Sequence, residues 1–373
     1  LTEVTVYNTL SQSVEVIRGR GLDPTHINMY VCGPTVYDSP HVGHARSYLF
    51  FDTLKRVLRL CGYTVTHLQN FSDIDEKIDK VAAKNSVSPR SVADMYINEF
   101  FRDMDILGVQ RADRYVRASE NTEFMHMVTS RFLEEGLCYL AGNNIYFDAS
   151  SGGGFGSLLH STLDELICGN EADSFHFDKR DKEDFTLWIG NFDRSNPYVG
   201  RPSWNLECFS IVHRWFGCEL DIQGGGMDLI FPHHEVGSVI SKAFCKEEFA
   251  SYYIHNGFVT MNEDKMSKSL GNFIPVAQLL SRYPAGALRL YLLSAPFREN
   301  IEFDDERLSH YAKLYSEFRE RLSSCRGDSN DERILSIVSR NLSTHQLIDL
   351  LETELDTMTP SELHSSAAAL GIA

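Results

Sequence analysis

The 373-residue sequence holds 52 Asp+Glu against 35 Lys+Arg, a formal charge of −17, with 43% hydrophobic and 11% aromatic residues. This is globular composition, which excludes a disordered or fibrous chain, and at about 100–200 residues per domain the length suggests two or three cores. Irregular cysteine spacing, no basic-then-apolar leader and no apolar run near the ~18–20 residues of a membrane span are read as a reduced, cytoplasmic protein without a membrane partner, and the acidic balance argues against a non-specific nucleic-acid coat and a DNA partner while leaving room for a local basic path for one folded RNA.

Residues 27–32 form a short β-prone run that Gly33-Pro34-Thr35 ends, predicting a strand and then a loop. Over residues 43–63, Tyr48, Leu49, Phe51, Leu54, Val57, Leu58 and Leu60 recur at helical steps and Gly62 supplies the stop. Residues 63–68 alternate as a second strand, which completes a β-loop-α-β unit. Helical character is expected over 88–116, with Ser88 as N-cap and Pro89 at the first position, and again over 120–135 before Gly136. After a strand at 144–148, the Gly-, Ser- and Asp-rich stretch 150–203 shows no sustained period and is taken as an insertion with a mobile Gly152-Gly153-Gly154 tip. The α/β pattern resumes with a strand at 220–222, a Gly224-Gly225-Gly226 loop, a helix beyond Pro232 and a strand at 252–254. Helices follow Asn272, with two late segments near 308–322 and 332–351.

The fold class this predicts is α/β: a Rossmann-type parallel sheet with a connective insertion, followed by a C-terminal helical bundle. The expected divisions are 1–120 for the first half of the sheet domain, 121–203 for the insertion, 204–272 for the second half, 273–310 for a connecting region and 311–373 for a partial bundle.

His41-Val42-Gly43-His44 sits where the first loop becomes a helix. Helix N-termini present unpaired N–H groups and partial positive charge, so phosphates bind there, and Gly43 leaves room for a flat group. Lys265-Met266-Ser267-Lys268-Ser269 forms a compact cationic loop suited to a polyphosphate. Alone, the first string would suit a helix-start hydrogen bond and the second a solvated turn. Together, at opposite ends of one α/β domain, they are far more specific.

The two strings resemble the HIGH and KMSKS signatures of class I aminoacyl-tRNA synthetases. More narrowly, Tyr30-Val31-Cys32-Gly33-Pro34-Thr35-Val36-Tyr37-Asp38, the run from His41 to Arg46, that from Gly224 to His234 and that from Lys265 to Asn272 resemble the cysteinyl-tRNA synthetase family. The resemblance implies a catalytic Rossmann-type domain, with 273–310 as the stem-contact region, and a reaction in which L-cysteine and MgATP give cysteinyl-adenylate and the cysteinyl group passes to the 3′ end of tRNA(Cys). His41, His44, Lys265 and Lys268 are the implied catalytic groups. Gly43, Gly225, Gly226 and Ser267 join them around ATP.

Cys32 at a strand end, Cys208, and Phe231-Pro232-His233-His234-Glu235 opening a helix are scattered soft donors of the kind that converge on a substrate-binding zinc, although a buried Cys is more often a small hydrophobe. The resemblance makes Cys32, Cys208 and His233 the zinc ligands and the zinc a receptor for the substrate thiolate, which a serine hydroxyl cannot imitate. It places Gly33, Ser72, Trp204 and Asp228 around the amino acid, Ser72 standing where the family usually has Thr. Asp228 suits a substrate ammonium. One departure is plain: the family's run reads His-His-Glu-Asn-Glu with the last Glu as a fourth ligand, and here that position is Gly237. A one-residue shift turns a helical side chain by about 100°, so His234 and Glu235 are poor substitutes. Ser238 in the last place of H-E-x-x-H excludes a metalloprotease. The remaining alternative is a paralogous ligase that joins activated cysteine to a small-molecule amine, as in the mycothiol pathway. Cys61, Cys138, Cys168, Cys218, Cys245 and Cys325 are read as structural or incidental.

Overall fold

A computed structural model describes residues 1–151, 155–158, 179–181, 183–262, 264–266 and 271–373. The Gly152-Gly153-Gly154 tip, Cys168, and Ser267 and Lys268 of the lysine loop lie outside the described residues. The chain opens with an antiparallel hairpin, Thr5–Asn8 (β1) and Ser13–Val16 (β2), and enters the expected first unit: His26–Val31 (β3), Val42–Leu60 (α1) and Thr64–Phe71 (β4). Glu76–Asn85 (α2) and Pro89–Ile106 (α3) follow, the latter capped by Ser88 with Pro89 at its first position.

The helix expected over 88–116 stops at Ile106, and Arg114–Arg117 (β5) is instead a fifth parallel strand. Gly108, with φ of 72°, breaks the helix, and Val116 is buried beneath the sheet rather than on a helix face. The insertion also has more order than its composition suggested. After Thr122–Glu134 (α4), Cys138–Ala141 (β6), Asn144–Phe147 (β7), Phe185–Ile189 (β8) and Arg201–Pro202 (β9) pair as an antiparallel sheet. Trp188, on β8, is fully buried and donates its indole N–H to the Val199 carbonyl at 2.9 Å.

Trp204–Phe216 (α5) returns the chain to the main sheet as Leu220–Gly226 (β10), Glu235–Cys245 (α6) and Ala250–Asn256 (β11). The three glycines taken as a loop are the end of β10. Phe51 of α1 lies so close that a Cβ on Gly224 would come within 2.4 Å of its ring, so only glycine lets the helix settle on the strand here. Val259–Met261 (β12), Asp264–Lys265 (β13) and the later Ile301–Glu302 (β14) form a small separate sheet.

The remaining chain is helical: Val276–Leu280 (α7), Ala285–Leu293 (α8), Asp305–Ser323 (α9), Glu332–Val338 (α10), Thr344–Glu354 (α11) and Pro360–Leu370 (α12). The late segment expected near 332–351 divides in two because Asn341 and Leu342 take positive φ. No helix among the described residues is long and apolar enough to cross a membrane.

The main sheet runs β11-β10-β3-β4-β5, all parallel. The chain moves outward from β3 in one direction and later returns to its other side, so the carboxyl ends of β3 and β10 flank the switch point where open α/β sheets bind ligands. Alternation along β3 sends Ile27, Met29 and Val31 into the core under α1, α3 and the late helices, and Tyr30 with Cys32 into a second core shared with α4, α5 and α6. One strand therefore aims Cys32 at α5. Contrary to the expectation of a fully reduced chain, Cys218 and Cys245 are joined by a disulfide, because α5 and α6 pack side by side.

Candidate active site

A cavity of about 670 Å³ opens at the switch point, lined by Cys32, His41, His44, Trp204, Asp228 and Lys265 among others. His41 is the extended N-cap of α1: its Nδ1 accepts from the His44 backbone N–H at 3.4 Å, and the His44 Nδ1 accepts from the His41 N–H at 3.3 Å. The rings stack with centroids 3.8 Å apart. Both Nδ1 atoms are acceptors, so each neutral ring holds its proton on Nε2. Lys265 Nζ is 2.6 Å from Asp228 Oδ2 across the cavity and 4.6 Å from the centre of the Phe258 ring.

Behind this cavity the buried groups converge. Cys32 Sγ is 3.5 Å from Cys208 Sγ, which lies 2.9 Å from His233 Nε2, and the three donor atoms all lie within 4.8 Å of one another. Metal bonds of about 2.3 Å to sulfur and about 2.1 Å to nitrogen give tetrahedral edges of about 3.6–3.8 Å, so small outward movements would admit an ion. His233 Nδ1 is buried with no partner among the described residues, and Trp204 stacks on that ring at 3.8 Å, 7° from parallel. Burial alone would raise the Cys208 thiol, but hydrogen bonds and charge from Cys32, His233 and Tyr30 outweigh it and hold Cys208 well below its ordinary pKa. Two sulfur donors and an imidazole on three sides fit a borderline ion such as Zn²⁺.

The family model of the tRNA synthetases class I (C) catalytic domain matches residues 20–313. The chain belongs to the class I (C) tRNA synthetase family. It is 42% identical over 308 residues to the cysteine–tRNA ligase of Desulforamulus reducens, covering 81% of this chain and 63% of that relative. It is 34% identical to the cysteine–tRNA ligase of Caldicellulosiruptor saccharolyticus, covering 94% of this chain and 77% of the relative. The chain thus spans less than two thirds of the first of these. Methionyl-tRNA synthetase of Mycobacterium tuberculosis, solved with methionyl-adenylate, superposes with a TM-score of 0.61 at 18% identity over 93% of this chain and 82% of its own, a likeness of fold.

In this class I (C) chain, Gly33, Gly43 and Gly226 also line the cavity, whereas Cys208, His233, Gly225 and Ser72 do not. A Cβ on Gly33 would come within 1.6 Å of the Asn70 carbonyl oxygen, so that glycine first serves the close passage of β3 past β4. Ser72 is buried and donates to Glu207 Oε2 at 2.6 Å. Gly237 supplies no ligand, and a Cβ there would meet only the Phe249 ring, at 3.6 Å. Glu235 turns away and accepts the N–H groups of Gly156, Ser157 and Leu158 at 2.8–2.9 Å.

His234 behaves differently from its neighbour Glu235. The irregular turn over Ile230–His234, interrupted by extended Phe231, brings its Nε2 to 3.1 Å from Cys32 Sγ, although it stands outside the compact set of three. Gln223 Nε2 is 3.3 Å from the same sulfur and 2.9 Å from His234 Nε2, and His234 Nδ1 is 2.8 Å from His255 Nε2. Sequence reasoning missed Gln223, Tyr30, Glu207 and His255. Their only signal was polar residues inside apolar strands or beside Cys208, which has no meaning until the register is known.

Proposed function

We propose that this chain activates L-cysteine with MgATP to cysteinyl-adenylate and passes the cysteinyl group to the 3′-terminal ribose of tRNA(Cys). The observation that carries the reading is that Cys32, one member of the buried Cys32–Cys208–His233 cluster, lines the same cavity as the paired histidines at the start of α1. The match to cysteine–tRNA ligases supports the choice of amino acid and acceptor.

His41 and His44 bind the ATP phosphates at the positive end of α1, with Lys265 and Lys268 adding positive charge as pyrophosphate leaves. The cysteine carboxylate attacks the α-phosphorus in line: its oxygen–phosphorus bond forms and the bond to the bridging oxygen of pyrophosphate breaks. Gly43, Gly225, Gly226 and Ser267 keep backbone and hydroxyl close to the nucleotide. Asp228 receives the substrate ammonium and Lys265 the phosphates, so their mutual ion pair parts on substrate binding. Gly33, Ser72 and Trp204 bound the amino-acid side of the site, Ser72 by holding Glu207 next to Cys208. Cys32, Cys208 and His233 would hold Zn²⁺, which when bound supplies a soft acceptor for a thiolate and none of comparable strength for a serine hydroxyl. Positioning and electrostatics then carry the rate without a protein nucleophile.

Cysteine-dependent pyrophosphate exchange, followed by transfer of labelled cysteine to total tRNA and in parallel to an aminosugar, tests the proposal. Label on tRNA is the expected result. Exchange with label passing only to the amine would replace the acceptor and favour the small-molecule ligase, and absence of exchange would overturn both.

A further inference from the structure

The disulfide between Cys218 and Cys245 has a third member. His213, on α5, holds its Nδ1 3.7 Å from Cys218 Sγ and 3.6 Å from Cys245 Sγ. Its ring is fixed by Phe124 of α4 and Phe209, each with centroids 5.6 Å away, and by the edge of Phe244 at 4.9 Å. All three donors are half-buried, and their ligand atoms lie within 4.8 Å of one another. A tetrahedral ion with a sulfur at about 2.3 Å and a nitrogen at about 2.0–2.1 Å requires a sulfur–nitrogen edge of about 3.6 Å. The imidazole already stands at that distance from both sulfurs. Only the sulfurs have to separate, to an edge of about 3.8 Å, and breaking their bond permits it.

We propose that in the reduced protein His213, Cys218 and Cys245 form a second metal site, for a thiophilic divalent cation of the Zn²⁺ class, separate from the Cys32 cluster. Solvent completes its coordination. Reduction by a phosphine and water breaks the sulfur–sulfur bond, leaving two thiols and a phosphine oxide, and the cation then displaces the two thiol protons. One place thus accepts either of two cross-links, a disulfide or a dithiolate-bound ion. Either ties the C-terminal end of α5, whose first half bears Cys208, to the end of α6, which begins two residues after His233.

The test is zinc stoichiometry on the full chain after phosphine reduction, loading with Zn²⁺ and desalting. Reduced protein is expected to retain about one more equivalent than a Cys218→Ser/Cys245→Ser variant, and equal retention would overturn the site. A readout in the unaltered chain guards against a misfolded variant. Zn²⁺ is expected to slow alkylation of Cys218 and Cys245 by at least about tenfold, mapped by peptide mass with Cys61, Cys138 and Cys325 as internal references. Unchanged rates at the pair would overturn the proposal, as would His213→Gln leaving the protection intact.

Discussion

At the scale of single residues, the site is a set of side chains that already have partners and must exchange them. Lys265 and Asp228 are paired at 2.6 Å, yet one is suited to phosphate and the other to an ammonium. Asp228→Asn is therefore expected to raise the KM for cysteine with little change for ATP, whereas Lys265→Met should slow pyrophosphate exchange by roughly 10²–10³-fold, as for other lost charge stabilisers. Equal effects on both KM values for Asp228→Asn would refute the division of roles. Gln223 acts one step back, its amide 3.3 Å from Cys32 Sγ. Gln223→Leu removes that donor at similar volume and should weaken zinc retention by about 10–100-fold in chelator competition. Unaltered retention would show that Gln223 serves packing alone.

At the scale of elements, the late helices are bound to the sheet domain by a buried charge. Arg289 of α8 pairs with Asp52 of α1 and donates to the Leu370 carbonyl at 2.7 Å and the Leu107 carbonyl at 3.1 Å. One guanidinium thereby ties α8 to α1 and to the ends of α3 and α12. Asp52 also accepts from Arg56 at 2.8 Å, and the two arginines hold its carboxyl below the usual range against the effect of burial. Removing one member of a buried pair typically costs about 3–5 kcal/mol, so Arg289→Met should lower the urea midpoint sharply. Asp52→Leu/Arg289→Met should regain much of the loss. A double variant as unstable as the single one would mean that the carbonyl contacts, not the ion pair, dominate.

At the scale of the whole molecule, the sheet buries groups that acid must disrupt. His67 on β4 is buried, with neither ring nitrogen partnered among the described residues. Burial, with Lys55 and Arg59 of α1 nearby, pushes its pKa down to about 3 against the opposing pull of Asp113 and Asp52. The unfolded chain takes up that proton near pH 6.5 and the folded one does not, so stability falls as pH drops below about 6.5 and continues to fall toward about pH 3. The slope from this group approaches roughly 1.4 kcal/mol per pH unit. Urea midpoints of wild type and His67→Gln should diverge between pH 7 and 5, the wild type losing more. Parallel curves would remove His67 from the account.

Much of this was legible in the residues. The first strand, its glycine-proline stop, the helix after His41 and the stop at Gly62 were all readable, because each rests on neighbours a few positions apart. Cys32, Cys208 and His233 were readable as donor types, and the two strings at His41 and Lys265 as a resemblance. The register that sets Val31 beside Gly224, the turn that aims His234 at Cys32, the reach of Arg289 to Asp52 and the meeting of Cys218 with Cys245 were not readable. Local backbone preference is decided within a turn or a pleat, whereas sheet register and buried polar contacts are decided by burial between segments far apart along the chain, which only the packed fold brings together.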